Sequence, residues 1–197
     1  MARRRILLPS LSPILPSLQS KPISSTHLGT AYELLTLSLL SSPPYNYSLI
    51  RVGGSNDRGI DLRGRSSLPP LSSTSTSKSF NSFRSLDVLV QCKASATRIR
   101  PAIIREFEGV LQNASHQSGR QPLGILVALN GFSKFTLDRS MESQWPLSLV
   151  HFKVGRGRLK LGEDGRKLAR FEGNEEIEVV GWYRNHAWKE LMGDGPR

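Results

Sequence analysis

Asp87-Val88-Leu89-Val90-Gln91-Cys92-Lys93 is the stretch on which the fold turns. Aliphatic residues fill it, and it closes on an amide, a thiol and an ammonium. Such a run favours a strand, where residues two apart share a face. Gln91 and Lys93 then point to one side and Cys92 to the other. Upstream, Gly53-Gly54-Ser55-Asn56-Asp57-Arg58-Gly59-Ile60-Asp61-Leu62 sets an aspartate behind a glycine-rich turn, at the head of a short apolar run. If the two runs are neighbouring strands, Asp61, Gln91 and Lys93 converge on one small volume. A carboxylate, an amide oxygen and an ammonium at one strand end suit a magnesium ion and an activated water beside a phosphodiester.

Working outward, Ser24, Ser25 or Thr26 can cap a helix running to about Leu40, with Leu28, Ala31, Tyr32, Leu35 and Leu39 at helical spacing. Ser41-Ser42-Pro43-Pro44 stops it. Tyr47 to Val52 and Ile60 to Arg63 read as strands. Residues 66–85 are rich in Ser, Thr and Pro and read as a flexible insertion within a hairpin. Downstream of Lys93, Pro101 opens a helix whose apolar stripe is Ile103, Ile104, Phe107, Val110, Leu111 and Ala114. Leu123 to Leu129 is nearly all aliphatic, as in a strand buried on both faces. Ser133 to Met141 reads as a short helix and Leu147 to Phe152 as a further strand. The order α-β-β-β-α-β-α-β predicts an α/β sandwich with a central mixed sheet flanked by helices.

Beyond residue 153 the text changes. Leu168 to Phe171 and Ile177 to Val180 read as a small hairpin, and Trp182, Tyr183, Trp188 and Leu191 as a closing helix. Residues 153–197 are thus expected to form an appendage packed on the core. Asn185-His186 lacks the frame of an H-N-H nuclease and reads as a cap or packing pair. No Walker-type phosphate loop is present, since no Lys-Ser/Thr follows Gly53-Gly54.

The chain has 27 Lys and Arg against 16 Asp and Glu, a net charge of +11, which favours a polyanionic partner. Its lone cysteine, Cys92, excludes a disulfide and a cysteine zinc site, and reads as a small core residue on the back of its strand. The first 32 residues hold no acid, and Arg3, Arg4, Arg5 and Lys21 make them basic. Residues 1–26 read as a mitochondrial transit peptide, mostly unstructured because of Pro9, Pro13, Pro16 and Pro22, and the protein as one of the matrix. No stretch is apolar enough to span a membrane.

From about Leu28 to Phe152 the chain resembles the Mrr-type, restriction-endonuclease-like branch of the PD-(D/E)xK nuclease superfamily. The residues that carry the resemblance are Asp61 in its glycine-rich turn, Gln91-Cys92-Lys93 as that branch's Q-x-K, and Glu33 in Gly29-Thr30-Ala31-Tyr32-Glu33. With the basic leader, the chain looks like the fungal mitochondrial "required for respiratory growth" family. The resemblance implies a restriction-endonuclease-like core at 27–152. It also implies a Mg2+ or Mn2+ cofactor held by Asp61, Gln91, the backbone carbonyl of Cys92 and Glu33, with Lys93 beside the attacking water.

The function expected is a metal-dependent endonuclease acting on DNA in mitochondrial genome maintenance, with RNA as the other substrate in play. Arg51, Arg58, Arg63, Arg65, Arg98, Arg100 and Arg105 are expected to line a channel for the phosphate backbone. Gln91 carries no charge, so this site has one anion fewer than the D-(D/E)-x-K form. The alternative is a nuclease-fold protein that binds nucleic acid, or scaffolds an assembly needed for respiratory growth, without cleaving.

Overall fold

A computed structural model describes residues 4–7, 25–54, 59–68, 84–155, 159–161, 167–169 and 176–192. The elements in chain order are β1 (Arg4–Leu7), α1 (Ser25–Ser41), β2 (Ser48–Arg51), β3 (Leu62–Leu68), β4 (Arg84–Lys93), α2 (Ala102–Ser118), β5 (Leu123–Ala128), α3 (Lys134–Met141), β6 (Leu147–Gly155), β7 (Leu159–Leu161), β8 (Lys167–Ala169), β9 (Glu176–Arg184) and α4 (His186–Met192). From α1 to β6 this is the order the sequence predicts.

Seven strands form one mixed sheet in the order β1-β9-β6-β5-β4-β3-β2. The run β4-β5-β6 is parallel and the other pairings are antiparallel. The crossover helices α2 and α3 cover one face and α1 and α4 the other, and every residue of the central strand β5 is buried. On one face Leu62, Val88, Val90, Val127, Val150 and Phe152 pack against α1 through Leu28, Tyr32, Leu35 and Leu39, and Trp188 of α4 joins them. Tyr32 stacks on Phe152 with ring centroids 4.8 Å apart. On the other face Leu89, Leu126, Ala128 and Leu149 meet Ile104, Phe107 and Leu111 of α2. Among the described residues no helix is long and apolar enough to cross a membrane.

The structure corrects four local expectations. Strand pairing enters the expected insertion at both ends, with Ser66, Ser67 and Leu68 opposite Leu86, Ser85 and Arg84. Only 69–83 lies outside the described residues. The leader is not wholly unstructured, since the backbone of Arg4–Leu7 pairs antiparallel with β9; the rest of residues 1–24 lies outside the described residues. The C-terminal hairpin is misdrawn by the sequence: β8 pairs with β7, while β9 joins the main sheet beside β6. Residues 153–197 therefore supply an integral strand as well as a small hairpin. Trp182 and Tyr183 lie in β9 and not in the closing helix. Alternation Ile177-Glu178-Val179-Val180 is a strand signal, and what sequence could not supply was its partner.

Two close approaches place the edge strands. At Gly64, in β3 opposite Leu49, an added β-carbon would run into the backbone of Ser48 and Leu49. Only a residue without a side chain lets β2 lie so near. At the other end of β6, Asn185 acts as a buried knot. Its Oδ1 accepts from the amides of Leu147 (3.0 Å) and Trp188 (2.9 Å), and its Nδ2 donates to the carbonyls of Ser140, Ser143 and Trp145. This bears out the capping and packing reading for Asn185, while His186 is exposed and lies 3.2 Å from Glu190.

Candidate active site

β3 stops at Leu62, opposite Val90, while β4 runs on to Lys93. The amide of Cys92 thus faces the β3 side with no backbone partner there. Asp61, the residue before β3, fills the gap: its amide donates to Val90 O at 2.9 Å and its Oδ2 accepts from Cys92 N at 2.6 Å. Its carbonyl receives the amides of Val52 (2.8 Å) and Gly53 (3.0 Å). The carboxylate is thereby fixed at the Gln91–Cys92 peptide by four backbone bonds.

Glu33 reaches the same point from the middle of α1. A β-carbon built on Gly53 would lie 2.9 Å from Glu33 Oε2 and 3.3 Å from Asp61 Oδ1. The two carboxylates therefore border the bare α-carbon of one glycine. Glu33 is not free: Arg51 Nε donates to its Oε2 at 2.6 Å, and Arg51 also reaches Thr30 Oγ1 at 3.4 Å.

Gln91 is buried, on the α2 face with Leu89, and its Oε1 has no hydrogen-bond partner among the described residues. Its Nε2 lies 3.0 Å from where a β-carbon of Gly59 would sit, and Gly59 holds a left-handed φ of +79°. Lys93, half-buried, shares Gln91's face by strand alternation. Cys92 points the other way, among the residues packed against the α1 core. Burial first, and then the charge of Asp61, push its thiol well above the ordinary range. It is inert packing rather than a nucleophile.

A divalent ion would find hard oxygen donors here: the carboxylates of Asp61 and Glu33, with the orphaned amide oxygen of Gln91 on the adjoining residue. An unpartnered buried acceptor costs free energy unless something positive meets it. The orphan oxygen of Gln91 is on the α2 face, whereas Glu33 comes from α1 on the other, so the donors that stand together at Gly53 are the two carboxylates. Among the described residues no three His, Cys, Asp or Glu side chains cluster, so these two carboxylates are the anionic ligands a cation would find.

The described arginines of the expected channel fall on three stretches of the chain: the end of β2, the strand β3 and around the start of α2. Arg51 belongs to the site through Glu33. Arg98, Arg100 and Arg105 are exposed around the start of α2, on the sheet edge where β4 ends. Arg63 and Arg65 lie along β3, with Arg65 Nε 3.7 Å from Asp87, away from Lys93 at the far part of β4. Arg58 lies outside the described residues. Sequence reasoning treated Gly53 as a turn former and Arg51 as a phosphate contact. Their roles around Glu33 depend on α1 crossing β2, which no local pattern reports.

A family model described as "Required for respiratory growth protein 7" matches residues 24–192 of the chain. A protein of Schizosaccharomyces pombe named as mitochondrial is 31% identical over 136 residues, 68% of this chain and 49% of that protein. The chain thus spans about half the length of that relative. "Required for respiratory growth protein 7, mitochondrial" of Saccharomyces cerevisiae is 26% identical over 201 residues, 87% of this chain and 80% of that one. Among solved structures, the MspJI restriction endonuclease in complex with a 27-mer oligonucleotide matches with a TM-score of 0.42 and 18% identity, over 69% of this chain and 31% of that chain.

Proposed function

The chain belongs to the family described as required for respiratory growth protein 7, and on that premise we propose that it is a mitochondrial, metal-dependent endonuclease that hydrolyses DNA phosphodiester bonds. The observation that carries this reading is the convergence of Glu33 and Asp61 on Gly53, one hydrogen bond from the Gln91–Cys92 peptide. Asp61, Glu33, Gln91 and the Cys92 carbonyl are the groups assigned to Mg2+ or Mn2+, which when bound supplies charge to offset the phosphate and acidity to a water. Lys93 would stand beside the attacking water and offset developing negative charge. The water gives up one proton to solvent as its oxygen bonds to phosphorus, the bond to the leaving ester oxygen breaks, and that oxygen takes up one proton from solvent in exchange. Arg98, Arg100 and Arg105 hold flanking phosphates without choosing sequence. The relatives' names and the acid-free leader support a mitochondrial location, and respiratory growth would follow from upkeep of the organelle genome.

The test is a cleavage assay on linear, circular, branched and single-stranded DNA, and on RNA, in Mg2+, Mn2+ or EDTA. Cleavage that needs the metal and is lost in Asp61→Ala and Lys93→Ala is the expected result. A second reading, binding or scaffolding without cleavage, draws on the 2.6 Å pairing of Arg51 with Glu33, which neutralises one carboxylate. Salt-dependent binding with no cleavage in any divalent metal would favour it.

A further inference from the structure

A groove of about 290 Å³ lies between β3 and α2, lined by Ile60, Arg63, Val110, Asn113, Ala114 and Gln117. The four α2 residues are spaced at i, i+3, i+4 and i+7, so they form one stripe facing β3. Its floor is apolar, from Ile60, Val110 and Ala114, and its rim carries two exposed amides and a guanidinium. Among the described residues Arg63, Asn113 and Gln117 have no side-chain hydrogen bond or ion pair, although Arg51 and Arg65 are tied to Glu33 and Asp87.

The groove lies on the α2 face of the sheet, beside Gln91. Ile60 precedes Asp61, and the β-carbon direction of Gly59 meets Gln91 Nε2 at 3.0 Å and Val110 Cγ2 at 3.6 Å. A chain whose backbone lies at Asp61 therefore has a ready apolar slot beside it. A phosphate does not suit the slot. It lies against the C-terminal half of α2, whose dipole end is negative, and the adjoining cavity is lined by Asp87. A flat, uncharged group with hydrogen-bonding edges does suit it: an aromatic face for the aliphatic floor and for Arg63, and edge atoms for the amides.

Resting on the nucleic-acid reading above, we propose that the groove between β3 and α2 seats one unstacked nucleobase of the strand bound at the Glu33–Asp61 site. Such a seat makes the preferred substrate single-stranded or locally opened nucleic acid, because a base inside a duplex cannot enter it.

The test compares the full chain's affinity, in EDTA, for a short single-stranded DNA and for an abasic sugar-phosphate chain of equal length. The wild type should bind the base-bearing chain about fivefold more tightly, the scale of one guanidinium–ring contact. The double variant Asn113→Ala/Gln117→Ala changes only exposed, uncharged side chains. It should lose most of that preference and leave abasic affinity unchanged. A fluorescent adenine analogue in the strand should brighten on binding wild type and brighten less with Ala114→Trp, which fills the slot. Equal affinity for both chains, or an unchanged preference in the double variant, would overturn the groove assignment and leave nucleic-acid binding standing. Binding of neither chain would overturn the nucleic-acid reading itself, and the groove with it.

Discussion

The Asp61 carboxylate takes the Cys92 amide hydrogen at 2.6 Å, so a side chain continues the β3–β4 ladder past the point where the β3 backbone leaves it. One residue therefore serves strand geometry and candidate chemistry together, and the two roles can be separated. Asp61→Ala should cost about 1.5–3 kcal/mol, the range for a hydrogen bond to a charged group. Asp61→Asn keeps an acceptor and should cost less. Both should lose Mn2+ binding. Urea unfolding and calorimetric metal titration read the two effects; an Asn variant that binds Mn2+ as wild type does would remove Asp61 from the metal site.

Gly53→Ala should hurt activity out of proportion to stability. The new methyl would meet Glu33 Oε2 at 2.9 Å, and that flexible end can swing away at small cost to the fold, about 0.5 kcal/mol or less. Displacing a ligand by about 1 Å can cost about 100-fold in rate. Cleavage rates beside melting temperatures check this, and unchanged cleavage would mean that the position of Glu33 is immaterial.

Gln91→Glu places a carboxylate where a buried amide oxygen has no partner among the described residues. Without metal the variant should be less stable than wild type, because a carboxylate buried there must either stay charged without a partner or take up a proton. Mn2+ should return more stability to it than to wild type. Thermal unfolding in EDTA and in Mn2+ measures both; an equal metal response in the two proteins would place the cation elsewhere.

His151 sits in β6 with a pKa below its usual value, chiefly from burial, then from Lys153 and Arg98, against a hydrogen bond with the Leu129 backbone. The unfolded chain therefore binds more protons than the folded one between the depressed value and about 6.5, so stability falls as pH drops through that window. Denaturation midpoints from pH 7.5 to 5 should decline, and His151→Gln should flatten the decline. An equally steep profile in the variant would show that other groups set it.

Asn185→Ala should be the most damaging single change away from the site. It strands the amides of Leu147 and Trp188 and the carbonyls of Ser143 and Trp145, a loss of roughly 3 kcal/mol or more. Metal binding by whatever fraction stays folded should not change. Chemical denaturation followed by Trp fluorescence suits the measurement.

Much of this was legible in the text of the chain because it rests on local rules. The aliphatic β4 and β5, the stripe of α2 and the Pro-Pro stop after α1 give themselves away by period and punctuation. The shared face of Gln91 and Lys93 follows from strand alternation alone. What escaped was the work of long-range pairing. No pattern within residues 176–184 says that they lie beside β6 rather than against 168–171. The link between Arg51 and Glu33 needs α1 to pass β2 at one particular height. The placement of Arg63 and Arg65 along β3, opposite Leu89 and Asp87, has the same origin, since it is set by the β3–β4 register.

Gly64 has no functional group and lies outside the site, yet β2 can approach β3 only because its side chain is a hydrogen atom. β2 ends in Arg51, and Arg51 ties down Glu33. In a saturation screen scored by function, Gly64 should therefore tolerate fewer replacements than the exposed arginines around it. Its loss would act at a distance, by lifting an edge strand and with it the counter-charge of a carboxylate two elements away.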